Sequence, residues 1–263
     1  MRPALLCALV SLPLHAAPLI VAHRGASADA PENSIPAFEL AWKQNADAIE
    51  GDFHLTRDGH IVCLHDADTK KLAGRKLVVA KSTLAELRAL DVGARKGPQW
   101  KDTRIPTLDE VLATIPKGKR IFVEIKCGPE IIPPLLTTLG ASGLDAGQIV
   151  IISFDAEVIK AVKTAAPQYE ANWLCAFKRK SGKDTPSQSS VLKTLRSCGA
   201  DGLSTNAYPA IDAGFVAKVR AAGANYHVWT INDAPTARRF RELGADSITT
   251  DLPSPIRKAL DER

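Results

Sequence analysis

The feature that most constrains this chain is a repeated alternation. Short apolar runs rich in β-branched residues begin near Leu19, Ala46, Arg120, Ile149, Tyr169, Gly202, Asn225 and Asp246. Segments with helical spacing lie between them: Ile35 to Gln44 behind Ser34, Thr107 to Ile115, Ala156 to Ala165, Ser190 to Ser197, Ala213 to Ala222, Ala234 to Leu243 and, after the last run, Ser254 to Leu260. Continuous apolar strands alternating with helices predict a parallel sheet covered on its outer face. Eight such units predict a closed (β/α)8 TIM barrel, an α/β fold that typically needs about 250 residues. The chain has 263, so one such domain accounts for it. Gly199-Ala200-Asp201 and Gly244-Ala245-Asp246 stand where a helix should end just before a strand.

Two stretches depart from the rhythm. Asp58-Gly59 makes a tight turn between Ala46 to Leu55 and Ile61 to Leu64, which predicts a hairpin. Residues 66–104 then carry a helix over Thr83 to Leu90, loop residues and many charges. They read as a small inserted subdomain in a barrel domain spanning 17–263. At the start, Arg2 and the apolar run Pro3 to Leu14 precede His15-Ala16-Ala17. This reads as a signal peptide over 1–16, cleaved after Ala16, and predicts export to the periplasm or medium. No other segment has the uninterrupted apolar length for stable membrane insertion.

The net charge of +5 is mild and its basic residues are scattered, which argues against nucleic acid as a partner. The densest basic run, Lys178-Arg179-Lys180 with Lys183, reads as a solvated loop. Cys63, Cys127, Cys175 and Cys198 lack paired metal-ligand spacing, and their disulfide state stays open.

In a (β/α)8 barrel the chemistry sits where the strands end. Glu50 and Asp52 are two apart, so both face the same side of their strand; Glu124 ends the next one. Three converging carboxylates repel one another unless a cation intervenes. The alternative is pairing with Arg or Lys. Oxygen donors suit one hard divalent cation, Ca²⁺ or Mg²⁺. His23 and His65 each end a strand and titrate near neutrality, so the pair can supply a base and an acid. Arg24 and Lys126 can neutralise phosphate oxygens. Trp229 is a candidate substrate-pocket wall, with barrel packing as the other reading, and His227 and Thr230 share its strand end. His54 follows Asp52 on the same face but near the turn, where it reads as solvated, as does His60. Asp251 reads as a helix cap.

Together, His23-Arg24-Gly25, Pro31-Glu32-Asn33-Ser34, Glu50-Gly51-Asp52, Thr56-Arg57-Asp58-Gly59, His65-Asp66, Ile105-Pro106-Thr107-Leu108, Glu124-Ile125-Lys126 and Thr250-Asp251 resemble the glycerophosphodiester phosphodiesterase family, in its order. The resemblance implies a (β/α)8 barrel with a small insertion. It implies hydrolysis of small-molecule glycerophosphodiesters, such as glycerophosphocholine or glycerophosphoethanolamine, to glycerol 3-phosphate and an alcohol. It places the metal on Glu50, Asp52 and Glu124, acid–base work on His23 and His65, and phosphate contacts on Arg24 and Lys126. Gly51 stands where the family usually has a larger apolar residue, which removes volume from the opposite strand face. Two other readings remain open at this point. One is a lysophospholipase D or phospholipase C-like phosphodiesterase on a similar barrel. The other is a protein that binds phosphodiesters without turnover.

Overall fold

A computed structural model describes residues 17–262; the signal-like segment 1–16 lies outside the described residues. Eight parallel strands form the barrel: β1 (Leu19–Ala22), β2 (Ala48–Leu55), β3 (Arg120–Ile125), β4 (Ile149–Ser153), β5 (Glu170–Cys175), β6 (Gly202–Asn206), β7 (Asn225–Trp229) and β8 (Ser247–Thr250). Each pairs with the next, and β8 closes onto β1 with Leu19 opposite Ser247 and Ala22 opposite Thr250. The predicted (β/α)8 TIM barrel is therefore the fold.

Alternation along the strands builds the interior. Val21, Ala48, Phe122, Val150, Ile152 and Leu174 point inward and form a dry plug. Their neighbours point outward and meet the helices in two larger apolar clusters. One helix had no clear sequence signature. Ile132–Ala141 covers the gap between β3 and β4, and its Pro133 and Pro134 mask the apolar period. Both prolines stand in the first turn, where a missing N–H costs nothing.

The bottom of the barrel repeats one device. Asp47, just before β2, accepts the backbone N–H of Ile20 in β1 at 2.9 Å. Asp201, before β6, accepts that of Ala171 in β5, and Asp246, before β8, accepts that of Tyr226 in β7, both at 2.8 Å. Each carboxylate thus clasps the preceding strand. Each is also held by a cation: Arg257, Lys163 and Arg220 respectively. The glycines of the two Gly-Ala-Asp triplets take the left-handed conformation that ends a helix, at φ 68° and 82°.

The hairpin forms as expected. β2 overshoots the barrel, and its last residues pair antiparallel with Ile61–Cys63, Phe53 opposite Cys63. The residues after it, up to Arg104, contain short helices at Lys70–Ala73 and Leu84–Arg88. Their small core of Val79, Leu87, Leu90 and Val92 rests on Val62 and Leu64 of the hairpin's return. The basic run after β5 is not a plain loop. Lys178–Lys180 pairs with Lys183–Thr185 as an exposed two-stranded ribbon. No described helix is long and apolar enough to cross a membrane.

Candidate active site

The site is assembled by three local devices at the C-terminal ends of the strands. The first is the turn after β1. His23 donates its backbone N–H to Thr250 at 2.8 Å, continuing the β1–β8 ladder. Gly25 then turns the chain at φ 81°, and a Cβ there would lie 2.6 Å from the backbone of Ala37. Only glycine fits. Arg24 and Asn33 adopt left-handed conformations at φ 55° and 56°. Such conformations cost non-glycine residues about 1–3 kcal/mol and persist where surroundings impose them. Here Asn33 donates to Asp52 Oδ2 at 2.8 Å and accepts the Asp52 N–H at 3.1 Å. That pair of bonds staples the turn to β2.

The second device is strand register. Asp52 stands opposite Glu124 across the β2–β3 pair, and Glu50 opposite Phe122. Period two turns Glu50, Asp52 and Glu124 inward together, and a ligand oxygen from each lies within 4.8 Å of the others. All three are buried. The opposite face of β2 belongs to Gly51. There Cys63, Phe53 and Phe38 crowd to 3.1–3.3 Å of where a Cβ would sit, so its missing volume is already filled.

The third device is the hairpin. Its return strand carries the chain back to the mouth, where Leu64 donates its N–H to Asp52 O at 2.9 Å. His65 therefore arrives at the mouth, in the same cavity lining as His23, Glu50 and Glu124.

The two histidines are held alike. His23 Nδ1 lies 2.7 Å from Asp251 Oδ1, and His65 Nδ1 lies 2.7 Å from Asp66 Oδ1. A carboxylate at Nδ1 fixes the ring and leaves Nε2 to exchange protons. Asp251 does not cap the following helix, as its position had suggested; that helix starts after Leu252 without a side-chain cap. It accepts instead from His23, Ser27 and Asn232. Burial would raise its pKa, but these partners prevail and lower it to about 2.

The electrostatics of the cluster are uneven. Burial first, and then Asp52 and Glu124, push Glu50 well above the ordinary carboxylate range. Glu124 is raised by burial and by Asp52, against Lys126. Burial acts upward on Asp52 as well, but Lys126, Arg24 and Asn33 hold it below its usual value. Lys126 Nζ lies 2.7 Å from Glu124 and 3.3 Å from Asp52, and Arg24 pairs with Glu32 at 3.0 Å and Asp52 at 3.2 Å. Both the ion pairing and the carboxylate convergence anticipated from sequence are thus present. Three carboxylates outnumber the two cations that face them. Among the described residues, buried Glu50 Oε1 has no hydrogen-bond partner at all. An unpartnered buried oxygen beside mutually repelling carboxylates fits a hard, oxygen-loving cation.

A cavity of about 170 Å³ opens above this cluster. Every candidate from sequence meets it or lies directly beneath: His23, Arg24, Glu50, His65, Glu124, Lys126 and Trp229 line it, with Asp52 buried under them. Trp229 stands half-buried in its wall, edge-on to Phe154 at 5.6 Å between centroids. Phe154 follows directly on the end of β4 and had no signal beyond that position. It is 46% exposed, the sole large hydrophobic side chain so placed among the described residues. Two histidines behave otherwise than expected. His54 is buried, with its Nε2 3.2 Å from the His65 carbonyl, so it supports the hairpin and is not solvated. His227 does not reach the mouth; it is buried lower in the barrel against Ser247 and Asn172.

Fold and site together define a class: a (β/α)8 barrel whose C-terminal mouth carries three clustered buried carboxylates and two carboxylate-held histidines. The glycerophosphoryl diester phosphodiesterase family model matches residues 23–254. A glycerophosphodiester phosphodiesterase of Caldanaerobacter subterraneus is 30% identical, over 90% of this chain and 96% of its own. The solved structure of an Oleispira antarctica phosphodiesterase in complex with the product sn-glycerol-3-phosphate superposes with a TM-score of 0.83. It is 26% identical, covering 94% of this chain and 98% of that one. A Thermotoga maritima glycerophosphodiester phosphodiesterase gives a TM-score of 0.74 at 25% identity, over 93% and 99% of the two chains. The chain belongs to the glycerophosphoryl diester phosphodiesterase family. Its reaction class is hydrolysis of a phosphoric diester.

Proposed function

We propose that the chain splits glycerophosphodiesters, of the glycerophosphocholine or glycerophosphoethanolamine kind, into glycerol 3-phosphate and an alcohol. The observation that carries this reading is the pair of Asp-held histidines lining one cavity with the acidic cluster. Breaking a phosphate ester needs one group to take a proton from the attacking oxygen and another to give one to the leaving oxygen. His23 and His65 line one cavity and supply both. Arg24 and Lys126 at its edge neutralise the non-bridging phosphate oxygens. Trp229 and Phe154 form an apolar wall that excludes water from one side of the substrate. Glu50, Asp52 and Glu124 would hold one divalent cation, Ca²⁺ or Mg²⁺. When bound, that ion supplies Lewis-acid stabilisation of charge on the phosphate.

The isolated exposed Phe154 gives little apolar rim for an acyl chain, which favours deacylated substrates over lysophospholipids. The test is a panel of glycerophosphodiesters and lysophosphatidylcholine, assayed with and without chelator. Release of glycerol 3-phosphate that chelator abolishes and Ca²⁺ or Mg²⁺ restores is expected. His23→Ala and His65→Ala should each lower kcat by about 10²–10⁴ while substrate still binds. Full turnover with chelator present would remove the metal from this reading. Binding without turnover in the native chain would make it a phosphodiester receptor.

Residues 1–16, which lie outside the described structure, are proposed to direct export to the periplasm or medium. Cell fractionation and N-terminal sequencing of the mature chain test that; an intact Met1 on cytosolic protein would overturn it.

A further inference from the structure

A second cavity, of about 210 Å³, opens beside the catalytic one. His65 lines both, so it stands as the partition between them. The floor is apolar, built from Leu64, Leu72 and Val92, and its outer wall comes from the insertion. Two cations of that wall, Lys71 and Arg95, differ from their neighbours. Lys70 is spent on the Gly74 carbonyl, Lys76 on Asp68, and Lys96 on the carbonyls of Ser27 and Ala28. Among the described residues, the side chains of Lys71 and Arg95 make no hydrogen bond or ion pair, yet both line the cavity. Arg95 is positioned over the insertion's Gly74 turn, where its guanidinium lies 3.7 Å from the place a Cβ would occupy.

Whatever fills this space while phosphorus sits over the carboxylates is joined to it through an oxygen that passes His65. Of the two halves, the glycerol carries no charge, so only the alcohol half can offer these cations a partner. Glu32, Asp66 and Asp68 line the same cavity, but they pair with Arg24, His65 and Lys76. The two cations left over, above an apolar floor, suit an anion, and the guanidinium fork suits a carboxylate. A quaternary ammonium would want aromatic faces. The aromatic pair Phe154 and Trp229 lies in the catalytic cavity, not in this one. We propose that the cavity between the insertion and the barrel mouth is a subsite for the alcohol half of the substrate, and that Lys71 and Arg95 select alcohols bearing a carboxylate. The proposal rests on the diesterase reading above.

Glycerophosphoserine and glycerophosphoethanolamine differ by one carboxylate, so their kcat/KM ratio isolates it. The full chain, loaded with its divalent cation, is expected to favour glycerophosphoserine by about tenfold, the size of one charge-assisted bond. In Lys71→Gln/Arg95→Gln the ratio should fall to about one while the ethanolamine rate moves less than about twofold, since that substrate lacks the group those cations hold. The ethanolamine rate also reports that the variant is folded. A ratio near one in the native chain, or a ratio unchanged in the variant, overturns the subsite. Failure of the native chain to turn over either diester overturns the diesterase reading itself, and the subsite with it.

Discussion

Asp251 shows what one side chain contributes at the mouth. Its carboxylate orients His23 and is itself held by Ser27 and Asn232. Asp251→Asn should keep substrate affinity but lower kcat by at least about 10², because the imidazole loses the group that fixes its tautomer; stopped assays at fixed saturation would show it. Stability carries a second signature. The folded pKa of Asp251, about 2, lies below the unfolded value of about 3.9. A depressed carboxylate stabilises the fold above the unfolded value, and that contribution disappears as pH falls towards the folded one. The stability gap between the native chain and Asp251→Asn should therefore be open at pH 5 and close between about pH 4 and 2. Urea titrations across that range measure it. The residue-level legibility of the site follows the same logic. Glu50, Asp52 and Glu124 were readable because period two and neighbouring strands make convergence a matter of counting. Asp251 was not, because its partner lies 228 residues away and only barrel closure brings them together.

At the scale of elements, the barrel separates what holds it from what reacts. The clasps of Asp47, Asp201 and Asp246 sit at the N-terminal ends of strands, away from the mouth. Asp246→Ala strips the partner from the Tyr226 N–H and removes the ion-pair partner of Arg220. A loss of about 1–3 kcal/mol in unfolding free energy is expected, with kcat unchanged; paired denaturation and rate measurements would check both halves. Elements were legible where apolar period and cap agreed, as with Ser34 before Ile35–Lys43; the helix expected over Thr83 to Leu90 is shorter, Leu84–Arg88, with Thr83 as its cap. The period misleads where residues serve another purpose. Prolines hid Ile132–Ala141, and dense charge on both sides of Ser181-Gly182 hid the ribbon at Lys178–Thr185. Inward-facing polar residues mislead differently. His227 shares its strand with Trp229, two residues further on, yet it sits one layer lower and is consumed by internal hydrogen bonds.

The whole molecule carries a conflict that its ligand resolves. Three buried carboxylates with two facing cations oppose folding, since burial and mutual repulsion raise Glu50 and Glu124. A cation bound only by the folded chain should stabilise it by about 2.7 kcal/mol at a hundredfold excess over Kd. For a chain of this size that raises the melting midpoint by several degrees, roughly 5–10 °C. Calorimetry with Ca²⁺, Mg²⁺ and chelator measures the shift without any substrate, and no shift in the native chain would argue against a resident ion. Glu50→Gln/Glu124→Gln should melt higher than the native chain in chelator and respond little to either ion.

The clasps also bear on how a ribosome-bound chain acquires its shape. Their partners are 27, 30 and 20 residues apart, whereas closing the barrel joins Leu19 to Ser247. Short loops close at little entropic cost, and domains are synthesised from the N-terminus. The first two strands can therefore lock together soon after Asp47 emerges, while most of the barrel has yet to be translated. The same holds for the fifth with the sixth and the seventh with the eighth. Each clasp thus closes a far shorter loop than the last seam, β8 onto β1, so register costs least to set within those pairs and most at the closure.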